Sequence, residues 1–152
     1  MSELNVRLEE LLPIMTECLE AGHSYTFTPR GISMLPMLRG GRDTVTLSPI
    51  QGELRKYDLP LYRRPDGKFI LHRIVKTGTT YTCAGDNQFI LEEGVERSWF
   101  IAVVTSFRRN GKEYRCDQLS YRIYCVLWHH TRRLRWFWFR VKRKLKRIFC
   151  GE

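Results

Sequence analysis

The stretch FILHRIV, residues 69–75, contains the pattern on which the fold prediction depends. In an extended strand, successive side chains point to opposite faces. One face therefore carries Ile70, His72 and Ile74, and the other carries Phe69, Leu71, Arg73 and Val75. A histidine between two isoleucines is expected to be partly desolvated, which lowers its pKa and keeps the imidazole neutral, as a general base requires. Taken alone, such a histidine is more often a core residue bonded to a backbone carbonyl.

Short β-type runs, separated by Gly, Pro and Asn, lie on both sides of this stretch. They are residues 25–28, 44–47, 59–63, 69–76, 80–84 and 100–109, with a further short piece near Tyr114. The Asn110-Gly111 pair predicts a tight hairpin turn. Residues 3–20 carry leucines at helical spacing, which predicts an N-terminal helix. The sequence therefore predicts a mainly β fold, with a compact, mostly antiparallel core.

The composition indicates one ordinary domain followed by a charged tail. The chain has 152 residues, of which 43% are hydrophobic and 28% charged, and this is enough for one domain with a real core. Residues 1–118 carry sixteen Lys and Arg against fifteen acids, whereas residues 119–152 carry ten against one. The net charge of +10 therefore belongs mainly to the tail. We divide the chain into a β domain at 1–118 and a basic, helical tail at 119–152.

The cysteines and the apolar runs limit the compartment and the cofactors. Five cysteines without a C-x-x-C pair argue against a disulfide framework and against a zinc site. We therefore expect reduced thiols, a cytoplasmic location, no metal and no cofactor. No window holds the ~18 consecutive apolar residues of a spanning helix, and no basic segment precedes an apolar one at the N-terminus. Neither a spanning helix nor a signal peptide is expected.

The tail has the pattern of a basic amphipathic helix. Its apolar residues recur at steps of three or four and share one face: Leu134, Trp138, Val141, Leu145 and Ile148. An anionic membrane surface is the preferred partner, because each Lys or Arg near lipid contributes ~1 kcal/mol. The predicted membrane-binding residues are Trp136, Trp138, Arg140, Lys142, Arg143, Lys144, Lys146 and Arg147. The alternatives are packing of the stripe on the domain and, less favoured, binding of nucleic acid, whose stacking platforms usually lie on sheets or loops.

Three short motifs carry candidate chemistry. Ser33 lies in GISMLP (31–36), His72 in LHRI (71–74) and Asp86 in GDN (85–87). Each has a structural interpretation, since serine and aspartate in Gly- and Pro-containing turns commonly bond the local backbone. Together, they supply a hydroxyl nucleophile, a neutral base that takes its proton and an acid that orients the base.

In form and order, these motifs resemble those of the type I signal peptidases, in particular the serine/histidine branch. More broadly, they resemble the superfamily that includes LexA-like self-cleaving repressors. The resemblance covers residues 25–109 and implies that Ser33 is the nucleophile, that His72 is the general base and that Asp86 supports the histidine. It implies that Met34 is buried beside the serine. It also implies an all-β core of coiled sheets and an extended substrate strand docked beside the site.

Two features of the site stay open at this level. The bend at residues 31–34 is expected to present backbone amides to a developing oxyanion and to contact substrate, through Gly31, Ile32 and Met34. The resembling family places a further acid a few residues after GDN, so Glu92 and Glu93 compete with Asp86 for the third catalytic position.

The expected function is that of a serine endopeptidase that cleaves a peptide or protein precursor. We expect it in the cytoplasm, or held as a peripheral protein on the inner membrane face. The alternative is a non-catalytic peptide-binding module on the same scaffold, tethered to membrane or nucleic acid by its basic tail.

Overall fold

The fold is mainly β, with helices at both ends, as the sequence predicts. The computed structural model describes the backbone of residues 3–150 and the side chains of residues 10–141. Within that range the helices are α1 (Glu3–Glu20), α2 (Leu119–His130) and α3 (Arg132–Cys150). The strands are β1 (Tyr25–Phe27), β2 (Thr44–Ser48), β3 (Pro60–Arg63), β4 (Phe69–Leu71), β5 (Arg73–Lys76), β6 (Tyr81–Ala84), β7 (Glu92–Val95), β8 (Phe100–Arg109) and β9 (Lys112–Arg115).

The strands pair antiparallel in two sheets. The larger sheet has the order β1-β2-β8-β3-β4, with β9 also paired to β8, and the smaller sheet has the order β5-β6-β7. The run predicted as one strand at residues 69–76 is therefore two strands, one in each sheet, and they meet at His72. This crossing places the candidate base at the junction of the two sheets.

Two apolar clusters fill the interior, and the side chains of residues 69–75 divide between them. Phe69 and Leu71 pack against the cluster that includes Met15 of α1. Ile70 and Ile74 belong to the second cluster, which lies around Tyr62. The alternation predicted from the sequence is thus confirmed for these residues, although the strand itself is interrupted.

The β8–β9 hairpin also follows the sequence prediction. Arg109 pairs with Lys112, and the two residues between them, Asn110 and Gly111, have φ values of 50° and 78°. Positive φ at both central positions is the geometry for which Asn-Gly is preferred in a two-residue hairpin turn.

The boundary between domain and tail differs from the prediction. In α2, Tyr121 and Cys125 are buried in the first apolar cluster together with residues of α1 and the larger sheet. Residues 119–130 therefore belong to the folded domain, and the change of character comes at Thr131, between α2 and α3. In the described part of the chain, none of the helices combines the length and the apolar character needed to cross a bilayer.

Candidate active site

Ser33 lies in a closed loop between β1 and β2. The amide of Gly41 donates a hydrogen bond to the carbonyl of Pro29 at 2.8 Å, which joins the two ends of the loop. Gly40 lies directly against the Gly31 carbonyl, so a side chain at position 40 would collide with backbone. Met34 is buried beside the serine, as the resemblance implies. The sequence of this loop thus fixes its shape without a regular strand ladder.

The turn at residues 85–87 holds the serine from the other side. The Asn87 amide donates to the Ser33 carbonyl at 2.8 Å, and the Asn87 side chain donates to the Ile32 carbonyl at 3.1 Å. A Cβ on Gly85 would come within 2.6 Å of the Ser33 carbonyl oxygen, so only glycine allows this approach. The GDN motif is therefore in contact with the serine motif, through its glycine and asparagine.

Ser33 and His72 line one groove with a volume of about 610 Å³. Its lining includes residues 27–31, which continue from β1, and residues 68–72, which include β4. β1 and β4 are the two outer strands in the order of the larger sheet. Apolar side chains, among them Leu38 and Leu61, form much of the remaining surface.

His72 is buried and neutral. Its side chain has 6% relative exposure, and this burial lowers its pKa to about 4. The Nδ1 atom has no hydrogen-bond partner among the described residues. It lies 3.8 Å from Oε2 of Glu92, which is close enough for electrostatic support but longer than a hydrogen bond. The neutrality expected from the sequence is thus found, with desolvation as its cause.

Glu92 is the carboxylate next to the histidine. It accepts hydrogen bonds from the Tyr62 hydroxyl at 2.6 Å and from Arg64, through Nη2 at 2.6 Å and through Nε. Partial burial raises the pKa of Glu92, but the hydrogen bonds from Arg64 and Tyr62 outweigh it and hold that pKa below its usual value. Glu92 is therefore ionised and fixed in place beside the imidazole.

Asp86 occupies a different environment from the one expected for it. Its two carboxylate oxygens accept hydrogen bonds from Nε and Nη2 of Arg73, each at 2.8 Å, and both side chains are buried. Arg73 follows His72 in the chain and packs among residues of the first cluster, while His72 contacts Tyr62 of the second. Adjacent residues on a strand face opposite sides, so the arginine takes Asp86 away from the histidine. Asp86 is therefore not the carboxylate next to the imidazole, although its charge still raises the pKa of His72 and so gives the electrostatic support expected for it.

The buried Arg73 also joins the C-terminal helices to the site. Its Nη1 donates to the Tyr121 hydroxyl at 2.8 Å and lies 2.9 Å from the Cys125 sulfur, and both partners belong to α2. The carbonyl of Asp86 accepts a hydrogen bond from the Trp128 indole at 2.8 Å. The same short turn therefore contacts the serine loop on one side and α2 on the other.

Three residues were expected to contact substrate or oxyanion, and the structure separates them. Gly31 and Met34 line the groove, whereas Ile32 does not and is 69% exposed.

Among the described side chains, no three His, Cys, Asp or Glu residues lie together in a way that would hold a metal ion.

The start of α3 exposes a group of large aromatic side chains. Trp136, Phe137, Trp138 and Phe139 are each about half exposed, and so is Leu134. The guanidinium of Arg140 lies 4.6 Å from the centre of the Trp136 ring. The apolar stripe of the tail is thus not buried against the domain over this part. The side chains of Lys142, Arg143, Lys144, Lys146 and Arg147 lie outside those described.

Comparison with protein-family models, with curated proteins and with solved structures gave no match. A functional assignment therefore depends on the geometry of the groove and on the chemistry of the residues that line it.

Proposed function

We propose that the protein is a serine peptidase in which Ser33 is the nucleophile, His72 the general base and Glu92 a positioning residue for the base. The observation that carries this proposal is that Ser33 and a buried, neutral His72 line one groove between two outer strands. A neutral imidazole accepts the serine proton, which makes an otherwise weak hydroxyl reactive. The ionised Glu92, 3.8 Å away, stabilises the imidazolium that then forms.

The reaction follows from these roles. The Ser33 oxygen attacks the carbonyl carbon of the scissile peptide bond while His72 takes its proton. His72 then gives the proton to the departing amine, and the C–N bond breaks to leave an ester on the serine. Water, deprotonated by the same imidazole, hydrolyses the ester and restores the hydroxyl. Gly31 and Met34 line the groove, and their backbone amides are the donors that we propose for the developing oxyanion.

The walls of the groove favour an extended peptide as substrate. Outer strands offer unpaired backbone groups, and an incoming peptide satisfies them by adding as a strand. The groove runs between the segment that continues β1 and the strand β4, so a peptide bound there has backbone partners on two sides. The apolar lining, which includes Phe27, Leu38 and Leu71, favours apolar peptide side chains near the cleaved bond.

The test is cleavage of peptides by the purified protein. A library of apolar, extended peptides is incubated with the wild type and with Ser33→Ala and His72→Ala, and fragments are identified by mass spectrometry. Ser98→Ala is the matched control, because Ser98 is an exposed serine far along the chain from the motifs. We expect discrete fragments from the wild type and from the control, and none from the other two variants. Cleavage that persists in Ser33→Ala would refute the mechanism.

A peptide-binding module without catalysis is the second candidate. It is favoured by the 3.8 Å separation of His72 and Glu92 and by the unpartnered Nδ1, because a working triad usually has a hydrogen bond there. Saturable binding of the library peptides, with equal affinity for wild type and Ser33→Ala and no fragments from either, would identify this function.

We also propose that α3 holds the protein at an anionic membrane surface, as a peripheral protein on the cytoplasmic side. Half-exposed aromatic side chains on a strongly basic segment are typical of helices that lie in the interface of anionic bilayers. The protein would then bind its peptide substrate at the membrane surface.

A further inference from the structure

A second cavity lies between the loop at residues 89–91 and the junction of α2 and α3. Its volume is about 820 Å³. The lining is basic and aromatic, with His129, His130, Arg132, Arg133 and Trp136 from the helices, and it contains no acidic side chain. Positive charge without a counter-charge in one concave surface is the pattern of an anion-binding site.

The arginines at this junction have unused donors. Nη2 of Arg132, which lines this cavity, is buried and has no hydrogen-bond partner among the described residues. Nε of Arg135 is buried and unpartnered in the same way, but Arg135 lines a smaller adjoining cavity beside Asp86. Arg135 is anchored, since its Nη2 donates to the Trp128 carbonyl at 2.6 Å and its guanidinium stacks on the Trp128 ring at 3.5 Å. Buried donors are normally satisfied, and a guanidinium matches the oxygens of a phosphate group particularly well.

The border of the cavity is apolar and exposed. Ile90 is 84% exposed and Leu91 43%, and Trp136, at the start of α3, lines the cavity with them. Phe89 contacts Phe139 with ring centroids 5.7 Å apart, which joins the loop to the helix. An apolar border contributes nothing to the binding of a free phosphate ion, whereas a phospholipid places acyl chains next to its phosphate.

We propose that this cavity binds the phosphate of an anionic phospholipid and thereby fixes the catalytic groove at the membrane surface. Phe89, Ile90, Leu91 and Trp136 also line a neighbouring cavity of about 500 Å³ that reaches His72 and Glu92. The loop at residues 89–91 thus lines both the proposed lipid site and the cavity that reaches His72 and Glu92. This deepens the membrane role proposed above for α3, and it implies that the preferred substrates are peptides presented at the lipid surface.

The experiment is sedimentation with vesicles of phosphatidylglycerol and phosphatidylcholine at equal proportions, against vesicles of phosphatidylcholine alone. The variant Arg132→Gln/Arg133→Gln is compared with Arg143→Gln/Arg147→Gln, which removes the same charge from the distal part of α3. A defined site predicts a drop in vesicle partition of about 10- to 30-fold for the first variant and a clearly smaller drop for the second. Equal drops for both would mean diffuse attraction and would overturn the proposal.

Two further arms separate the possible sources of phosphate. Vesicle-bound protein is challenged in one arm with millimolar inorganic phosphate and in the other with an excess of phosphatidylglycerol vesicles. If inorganic phosphate displaces the protein as completely as the competing vesicles do, the site is for free phosphate and the lipid proposal is wrong. Arg133→Gln alone is included because Arg133 is exposed and its loss leaves the fold intact. It is expected to lower partition by several-fold, and no change would count against the site.

The outcome is independent of the catalytic proposal. Labelling of Ser33 by a fluorophosphonate probe in solution reports on the nucleophile without any lipid. Vesicle binding that depends on Arg132 and Arg133, in a protein whose serine fails to react, would support the lipid site and reject the peptidase. Reactive Ser33 with no preference for anionic vesicles would do the opposite.

Discussion

Replacement of Glu92 by glutamine tests the most specific feature of the site, which is the carboxylate beside the base. At 3.8 Å, a carboxylate and an imidazolium attract each other by about 4 kcal/mol at an effective dielectric constant near 20. Arg64 binds the same carboxylate and offsets part of this attraction, and the side chain is partly exposed. Roughly 1.5–3 kcal/mol then remains for the transition state, which corresponds to a loss of about 10- to 150-fold in kcat/KM at pH 7.

The same substitution has a signature in the titration of the histidine. The ionised carboxylate favours the imidazolium and so raises the pKa of His72, although burial lowers that pKa further, to about 4. Removal of the carboxylate is therefore expected to move the His72 pKa still lower, as measured by NMR of the imidazole protons. Glu93→Gln is the matched control, because Glu93 is exposed and adjacent in sequence. An unchanged kcat/KM together with an unchanged His72 titration in Glu92→Gln would refute the reasoning.

Three further predictions concern the framework of the site. Gly85→Ala brings a methyl group against the serine carbonyl and is expected to cost about 1–3 kcal/mol and at least ten-fold in kcat/KM, whereas Gly78→Ala, with its nearest atom at 3.5 Å, has little effect; equal effects would contradict the close approach. Asp86→Asn leaves its buried arginine partner uncompensated and is expected to lower the free energy of unfolding in urea by about 3–5 kcal/mol, whereas Asp117→Asn, at an exposed ion pair, is expected to change it little. The pKa of His72 is lowered from 6.5 in the unfolded chain to about 4 in the folded protein, so the unfolded chain takes up a proton at higher pH. The free energy of unfolding therefore decreases as the pH falls from 6.5 toward about 4. Wild type should lose up to about 3 kcal/mol more than His72→Gln over this range, and an equal loss would show that the histidine is not the cause.

The sequence predicted the fold well where local signals decide it. The alternation in residues 69–75 assigns Phe69 and Leu71 to one cluster and Ile70 and Ile74 to the other, as found. The interruption at His72 was not predictable, because it arises when the chain leaves one sheet for another, and that depends on distant strands. β7 (Glu92–Val95) was also missed, since EEGV has neither apolar alternation nor β-branched residues except at its end.

The positions of Ser33 and His72 on one groove were predictable from the motifs, whereas the position of Glu92 beside the imidazole was not. Both residues line one groove, while a hydrogen bond between the Ser33 hydroxyl and the His72 imidazole stays a prediction. The GDN motif predicts a turn at Asp86, but it does not predict which cationic side chain binds the Asp86 carboxylate. Arg73 was assigned only to the face opposite the histidine, and its buried ion pair with Asp86 leaves the position beside the imidazole to Glu92. Arg73 is a charged residue within an apolar run, and this is the feature of the sequence that indicates a buried ion pair.

The boundary between domain and tail was also not predictable from local patterns in the sequence. Its charge and its periodicity marked residues 119–152 as one unit, but Tyr121 and Cys125 are buried in the domain. α2 has an apolar face of its own, and only long-range packing distinguishes it from the basic helix that follows. The aromatic side chains at the start of α3 are exposed, and the amphipathic pattern alone left open whether they would pack on the domain.

α2 follows the described strands in the chain, and this sets an order of events during synthesis. Arg73 leaves the ribosome well before Tyr121 and Cys125, the groups that complete its enclosure. A nascent polypeptide that has not yet reached residue 125 therefore lacks part of the support for the turn that holds the serine loop. The groove lined by Ser33 and His72 therefore acquires its full set of supporting contacts only after residue 125 has emerged and α2 has packed against the domain.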